Sequence, residues 1–210
     1  MGDIVGSERA PSVEELHHHF NAAVDRANRK HPNDIISPLT ITLGDEFQGL
    51  ISSLRDAATI AQEMRHLLLA NDIDCRFVVG LVDIKTAVNK ERAWNMMGPG
   101  LADAREKLGE KKAESLYRFS LPGHKMTELL LEAVGVGLTS IERRWTKTQL
   151  NDIARSLEGK SAADIAKIRN VTVHSVYKAK TGGEFDSYMI QWNAILSTLS
   201  DLDREIGARL

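Results

Sequence analysis

Two aspartates stand beside glycines at the edges of apolar, β-branched runs: Asp3 in Gly2-Asp3-Ile4-Val5-Gly6-Ser7, and Asp45 in Thr40-Ile41-Thr42-Leu43-Gly44-Asp45-Glu46-Phe47. A sheet fixes the direction of a carboxylate at a strand tip, and two tips 42 residues apart become neighbours if their strands pair. Such a pair suits Mg²⁺ or Mn²⁺, because these hard cations take carboxylate oxygens together with waters and substrate phosphates. Gly6 permits a turn that would aim the backbone N–H groups of Ile4, Val5, Gly6 and Ser7 at phosphate oxygens, so these four form the expected cradle. Glu46 and Gln48 are secondary candidates beside the second aspartate. A single Gly-Asp is ordinarily only a turn; two in matching settings carry the chemical reading.

The elements that must place these residues follow from periodicity. Pro11-Ser12 opens a helix in which Val13, Leu16, Phe20 and Val24 recur at helical spacing, and it ends near His31-Pro32. Within it His17, His18 and His19 point about 100° apart, cannot converge on one ion, and read as solvated side chains. Residues 38–43 read as a strand, Gly44-Asp45 as a tight turn and 47–51 as the returning strand. A helix over about 54–70 carries Ile60, Met64 and Leu67, and 75–84 is a β-rich run suited to a mostly buried strand. The resulting β–α–β–β–α–β order predicts a ferredoxin-like core. Its first strand is anomalous, with almost no residues ahead of Asp3, as though the chain began inside the strand. Further on come an irregular stretch over 85–97, a helix over about 101–108, a strand over 117–121 and a helix over 126–134. Gly135-Val136-Gly137 then reads as a boundary between an α/β domain at 1–137 and a helical domain at 138–210.

Composition narrows the class. A chain of 210 residues can bury one good core, or a medium domain plus a small one, and 42% hydrophobic with 27% charged residues is ordinary for a protein in water. One cysteine, Cys75, excludes an internal disulfide and a multi-thiolate zinc site, and fits a reducing cytoplasm. No stretch approaches the roughly 20 apolar residues of a membrane span, and nothing reads as a signal peptide, so a cytoplasmic location is expected. The net charge of −2 hides an asymmetry: residues 141–183 hold nine Lys/Arg against four Asp/Glu, a net +5. A basic module attached to an acidic remainder predicts that only the C-terminal part meets a polyanion.

Asp3-Ile4-Val5-Gly6-Ser7 resembles the first metal-binding segment of class III nucleotidyl cyclases, and Leu43-Gly44-Asp45-Glu46-Phe47 resembles both their second metal segment and the GGDEF signature. A closer resemblance, over most of the chain, is to the SatD family of bacterial proteins, carried by residues 2–7 and by Ser37-Pro38-Leu39-Thr40-Ile41-Thr42-Leu43-Gly44-Asp45-Glu46-Phe47-Gln48-Gly49. The cyclase resemblance implies an α+β, ferredoxin-like, nucleotidyl-cyclase-type domain with Asp3 and Asp45 as metal ligands. It also implies a transition-state Asn and Arg on a helix. In the segment over 98–105 the arginine is matched by Arg105, whereas the asparagine's place falls at Leu101 or Ala102. The purine-selecting Lys or Glu would fall at Ile41, and the first GGDEF glycine at Leu43. These departures argue against ordinary cyclase turnover.

The C-terminal portion reads as a small all-α domain, with helices over 146–157, 161–169, 172–180 and about 185–206. The middle pair resembles a helix-turn-helix of the LuxR or sigma-factor kind. Ile165-Ala166 would let the two helices approach, Asn170 takes the left-handed conformation at the turn, Val171 packs inward, Thr172 caps the second helix, and Val176 lies on its buried face. Arg169 stands where a leucine is more usual. On this resemblance Val173, His174, Ser175, Tyr177 and Lys178 are placed to meet base edges, and Lys167, Arg169 and Lys180 to meet phosphates.

These readings converge on a nucleotide-responsive transcriptional regulator: a homodimer that binds duplex DNA through its tail, and a nucleoside triphosphate with Mg²⁺ or Mn²⁺ through its sheet domain. Two alternatives stand beside it. One is an active nucleotidyl cyclase or related phosphoryl-transfer enzyme, with Arg105 as catalytic cation approaching Asp3 and Asp45 of the second subunit. The other is an accessory protein of nucleic-acid processing.

Overall fold

Alternation along the apolar runs builds a five-stranded mixed sheet of order β2-β3-β1-β4-β5, with β1 (Gly2–Ile4), β2 (Ile35–Ile41), β3 (Glu46–Ile51), β4 (Cys75–Gly80) and β5 (Tyr117–Ser120). Every neighbouring pair is antiparallel except β4 with β5, so the strands bearing Asp3 and Glu46 lie side by side. The computed structural model describes residues 1–207. Its eight α-helices among those residues are α1 (Val13–Lys30), α2 (Leu54–Leu69), α3 (Leu101–Gly109), α4 (Lys125–Glu142), α5 (Lys147–Leu157), α6 (Ala162–Arg169), α7 (Val173–Gly182) and α8 (Phe185–Gly207). The helix starts are written locally: Ser12, Ser53, Thr146, Ser161 and Thr172 each accept a hydrogen bond from the amide three residues on.

The two sheet faces differ in chemistry. Ile4, Leu39, Phe47, Phe77, Val79 and Phe119 join Phe20, Leu68, Leu138 and Ile195 in one core, supplied on its helical side by α1, α2, α4 and α8. Asp3, Glu46, Arg76 and Val78 point the other way, where Ala104 and Leu108 of α3 pack on Val78. The sheet therefore has one dry face and one face of charged side chains partly roofed by α3.

Two expected boundaries change. The glycines read as a linker lie inside α4, where a Cβ at Gly135 would come 2.4 Å from Ser115 Oγ and 2.7 Å from the Tyr117 carbonyl oxygen, and one at Gly137 2.2 Å from Gln191 Oε1. Gly135 lets α4 approach β5 closely, which offsets the roughly 1 kcal/mol that a glycine costs within a helix, whereas the nearest atom at Gly137 is the end of a flexible side chain. The expected division between residues 137 and 138 thus falls within a continuous helix, and Leu138, Tyr188, Trp192 and Leu199 share the core of the sheet. Helix α8 returns from the C-terminal helices to pack on α2 and α4. The run over 75–84 stops being a strand at Gly80. Helices α6 and α7 keep a small cluster of their own, Ile165, Ala166 and Val176. Among the described residues no helix is long and apolar enough to cross a membrane.

Candidate functional site

Asp3 is wholly buried in the central strand, opposite Glu46 of β3 and Arg76 of β4. Its Oδ2 accepts from Lys111 Nζ at 2.5 Å, and its Oδ1 lies 2.9 Å from Arg76 Nε. The second contact is misaligned, so both Asp3 Oδ1 and Arg76 Nε are buried without a hydrogen bond. Burial is the largest influence on the Asp3 pKa and raises it; Lys111 and Arg76 oppose the shift, and the nearby Asp45 charge adds to it. A buried acceptor left incomplete in this way fits a cation brought from outside.

Asp45 precedes β3, and its Oδ2 accepts from Ser7 Oγ at 2.5 Å. The two aspartates are thus close enough to interact, but they hold different partners. The expected cradle is narrower than its four residues: the Ile4 amide donates to Asp45 O at 3.0 Å and the Val5 amide to Asp74 O at 2.9 Å. Gly6 follows with φ 70° in the left-handed region and starts the 3-10 turn Ser7–Arg9, so Gly6 and Ser7 are the cradle residues placed beyond these ladder bonds. Arg105 reaches from α3 to Gln48 Oε1 at 3.2 Å and lies 3.7 Å from Glu46 Oε2, so within one chain it shares a sheet face with Asp3. Among the described residues no group of three or more His, Cys, Asp or Glu is gathered for a metal. Asp3 Oδ2 is held by the half-exposed Lys111, and Asp45 Oδ2 by Ser7. Of the three consecutive histidines, His17 contacts Asn21 and the His18 and His19 rings meet edge to face.

Sequence reasoning missed a buried polar network on the dry side. Arg65 of α2 pairs with Glu142 of α4 and, at 2.7 Å, with Asp74, and also donates to the Cys75 carbonyl. Glu142 Oε1 accepts from Tyr117 at 2.6 Å and Tyr188 at 3.0 Å, and His66 Nε2 lies 3.3 Å away. Burial would raise the Glu142 pKa, but Arg65, His66 and Tyr117 outweigh it and hold the carboxyl down at about 2. Trp145, at the entry to α5, packs on the His66 and Tyr188 rings and donates to Gly183 O at 2.7 Å. The available signal was Arg65 itself, on the helical stripe Ala58, Ala61, Arg65, Leu68 whose other members are apolar.

On the C-terminal helices Asn170 is left-handed at φ 53° between α6 and α7, and Thr172 caps α7. Val176 is fully buried, as its spacing predicts. Val171, expected to pack inward, is 38% exposed, because Ile165, Ala166 and Val176 already close the small core. Lys167, Val173, His174, Tyr177 and Lys178 are exposed, Tyr177 by 56%. Ser175 is partly buried and its hydroxyl contacts Thr172. Arg169 pairs with the buried Asp152, and Lys180 Nζ sits 4.0 Å from the Phe185 ring centroid, so these two expected phosphate contacts are held by intramolecular partners.

Fold and site together define an α+β protein with an incompletely paired carboxylate in its central strand and a chain of capped helices at its C-terminal end. The chain belongs to the SatD family, whose family model matches residues 1–161. The match ends at Ser161, the cap of α6, so α6, α7 and α8 lie beyond it. No curated protein and no solved structure matches the chain.

Proposed function

We propose that the protein is a nucleotide-responsive, DNA-binding transcriptional regulator that acts as a homodimer. The observation that carries this reading is the α6–α7 pair: a left-handed turn at Asn170, a capped second helix, and an exposed surface at its start formed by Val173, His174, Tyr177 and Lys178. That arrangement supports a helix-turn-helix reading, and the surplus of basic residues over 141–183 supports a polyanionic partner. Lys167 is the main phosphate contact, with Arg169 and Lys180 in a lesser role because their charges already have partners, and Lys178 stays among the residues that meet base edges.

For the sheet, the order β4-β1-β3-β2 with antiparallel neighbours supports a ferredoxin-like, cyclase-type reading. A nucleoside triphosphate would place its phosphates at Gly6 and Ser7, with Mg²⁺ or Mn²⁺ on Asp3 and Asp45. The metal's part is to neutralise phosphate charge. Contiguous contacts lead from there to the helices: the Val5 amide on Asp74 O, Asp74 on Arg65, Arg65 on Glu142, Glu142 on Tyr188, and Tyr188 against Trp145 at the start of α5. The test is fluorescence anisotropy of labelled genomic duplexes with the full chain, across salt concentrations and with or without each nucleoside triphosphate plus Mn²⁺. Binding that weakens steeply with salt and shifts with one nucleotide is expected. Absence of binding at low salt would sink the regulator. Cyclised product in the same mixtures by mass spectrometry would favour the phosphoryl-transfer enzyme, a reading supported by Arg105 lying on the Asp3 face.

A further inference from the structure

Helix α4 is apolar on more sides than the core covers. Its run over 129–138 holds a single charged residue, Glu132, and that side chain turns to Lys107 and Arg118. Leu131 and Leu138 face the core, whereas Met126, Leu129 and Leu130 are 69%, 54% and 62% exposed. A helix that is apolar all round is ordinarily buried all round. Helix α8 runs antiparallel beside α4, since Glu142 accepts from Tyr188 while Gln191 lies against Gly137. Next to Gln191, Ile190 is 72% exposed, and Ala194, one turn on, is exposed as well, so the two continue the outer face of α4. Every exposed residue of α4 over 126–140, and of α8 over 190–197, is uncharged.

We propose that this strip of α4 and α8 is the face through which two copies of the chain pair about a two-fold axis. The proposal rests on the homodimer of the functional reading and adds the surface that forms it. A helix of the length of α4 spans about 27 Å and lies about 9 Å from a packed neighbour, so the two helices present a strip of about 500 Å² in outline. Monomers rarely leave an apolar patch of that size open, and a dimer of ordinary size buries about 800 Å² per partner, apolar at the centre and polar at its rim. Met126, Leu129, Leu130 and Ile190 supply such a centre. The absence of charge selects the occupant: a two-fold sets the strip against itself, which an uncharged surface allows without opposing like charges. A partner presenting charged groups would find no counter-charge there. The strip belongs to the helical side of the core, whereas Arg105 lies on the charged face of the sheet, so pairing here leaves Arg105 with Glu46 and Gln48 of its own chain. Helix α8 also packs on α7, so the same contact sets the separation of the two α7 helices.

The experiment is sedimentation equilibrium of the full chain from about 1 to 200 µM, a range that spans weak and moderate pairing. It compares the parent with Leu130→Glu, Ile190→Glu and Val13→Glu. The first two set a carboxylate in the strip and are expected to raise the Kd of the dimer at least tenfold, with circular dichroism and Tm unchanged. Val13 is 70% exposed at the start of α1, outside the strip, and its replacement should leave the Kd as it was. If the carboxylate variants do not fold, Leu129→Ser combined with Leu130→Ser keeps the test, with a severalfold rise expected. A parent that dimerises with a Kd shared by every strip variant overturns this proposal and leaves the homodimer standing on another face. A parent that stays monomeric throughout overturns both, and would leave the strip to a partner of different sequence.

Discussion

Asp3 and Glu142 are both buried carboxylates facing an arginine, yet burial drives the Asp3 pKa up, whereas the partners of Glu142 overcome its burial and hold it at about 2. The difference lies in the number and alignment of donors. Glu142 receives Arg65 on one oxygen and Tyr117 and Tyr188 on the other, so its charge is matched on both. Asp3 receives only Lys111 as an aligned donor and keeps a buried oxygen without one. A charge fully provided with donors locks elements together, while one left short is the member on which the proposed cation site rests.

The strongest way to break this comparison is to remove the locked member. Glu142→Leu strands Arg65 without its main counter-charge and should cost about 3–5 kcal/mol in urea unfolding. The double variant with Arg65→Met should recover much of that, because no unpaired charge is then buried. A loss below about 1 kcal/mol in the single variant would mean that the network does not hold α4 to α2.

Titration sharpens it next. The folded-state pKa of Glu142 lies below its ordinary value of 4.5, so its stabilising contribution is full above that value and is lost as pH falls toward about 2. Asp3 acts with the opposite sign: its raised pKa makes stability fall as pH rises from 3.8 through the folded-state value. Chemical denaturation from pH 2 to 6 should therefore give a rising curve dominated by Glu142, and Asp3→Asn should make the rise steeper by removing the opposing contribution.

A smaller effect on stability separates function from folding at Asp3. Asp3→Asn should change unfolding free energy by about 1 kcal/mol or less while abolishing Mn²⁺-dependent nucleotide binding, read by calorimetry. Equal nucleotide affinity in variant and parent would remove the metal from the reading. The smallest effect on stability belongs to the exposed helix surface. Lys167→Ala should leave stability within about 0.5 kcal/mol yet lower the salt slope of DNA binding by about 1, and Lys180→Ala should lower it less. Equal slopes for the two lysines would show that the Phe185 contact does not hold Lys180 back.

Where these features were legible differs by kind. The helices of the C-terminal part were readable to within a residue or two, because Ser161, Thr172 and Asn170 are local signals that act on their own neighbours. Gly135 misled for the same reason: flexibility is its local meaning, whereas here it serves close contact with Ser115 and Tyr117. Lys111 gave no signal at all, since a lysine in a loop is ordinarily solvated and only the return of the chain beneath α3 brings it to Asp3.

By itself the sequence determined the alternation that separates the two sheet faces, the caps that start the helices, and the buried position of Val176. Each of these depends on residue type and short spacing, which the linear chain contains. Only the tertiary structure decided which charges meet: Arg169 with Asp152, Arg65 with Glu142, and Lys111 with Asp3. Only it, too, carried α8 back onto α2 and α4 to make one core. The physical reason is that a charge's partner, and a helix's neighbours, are set by elements far apart in sequence, whose approach is governed by the packing of the whole.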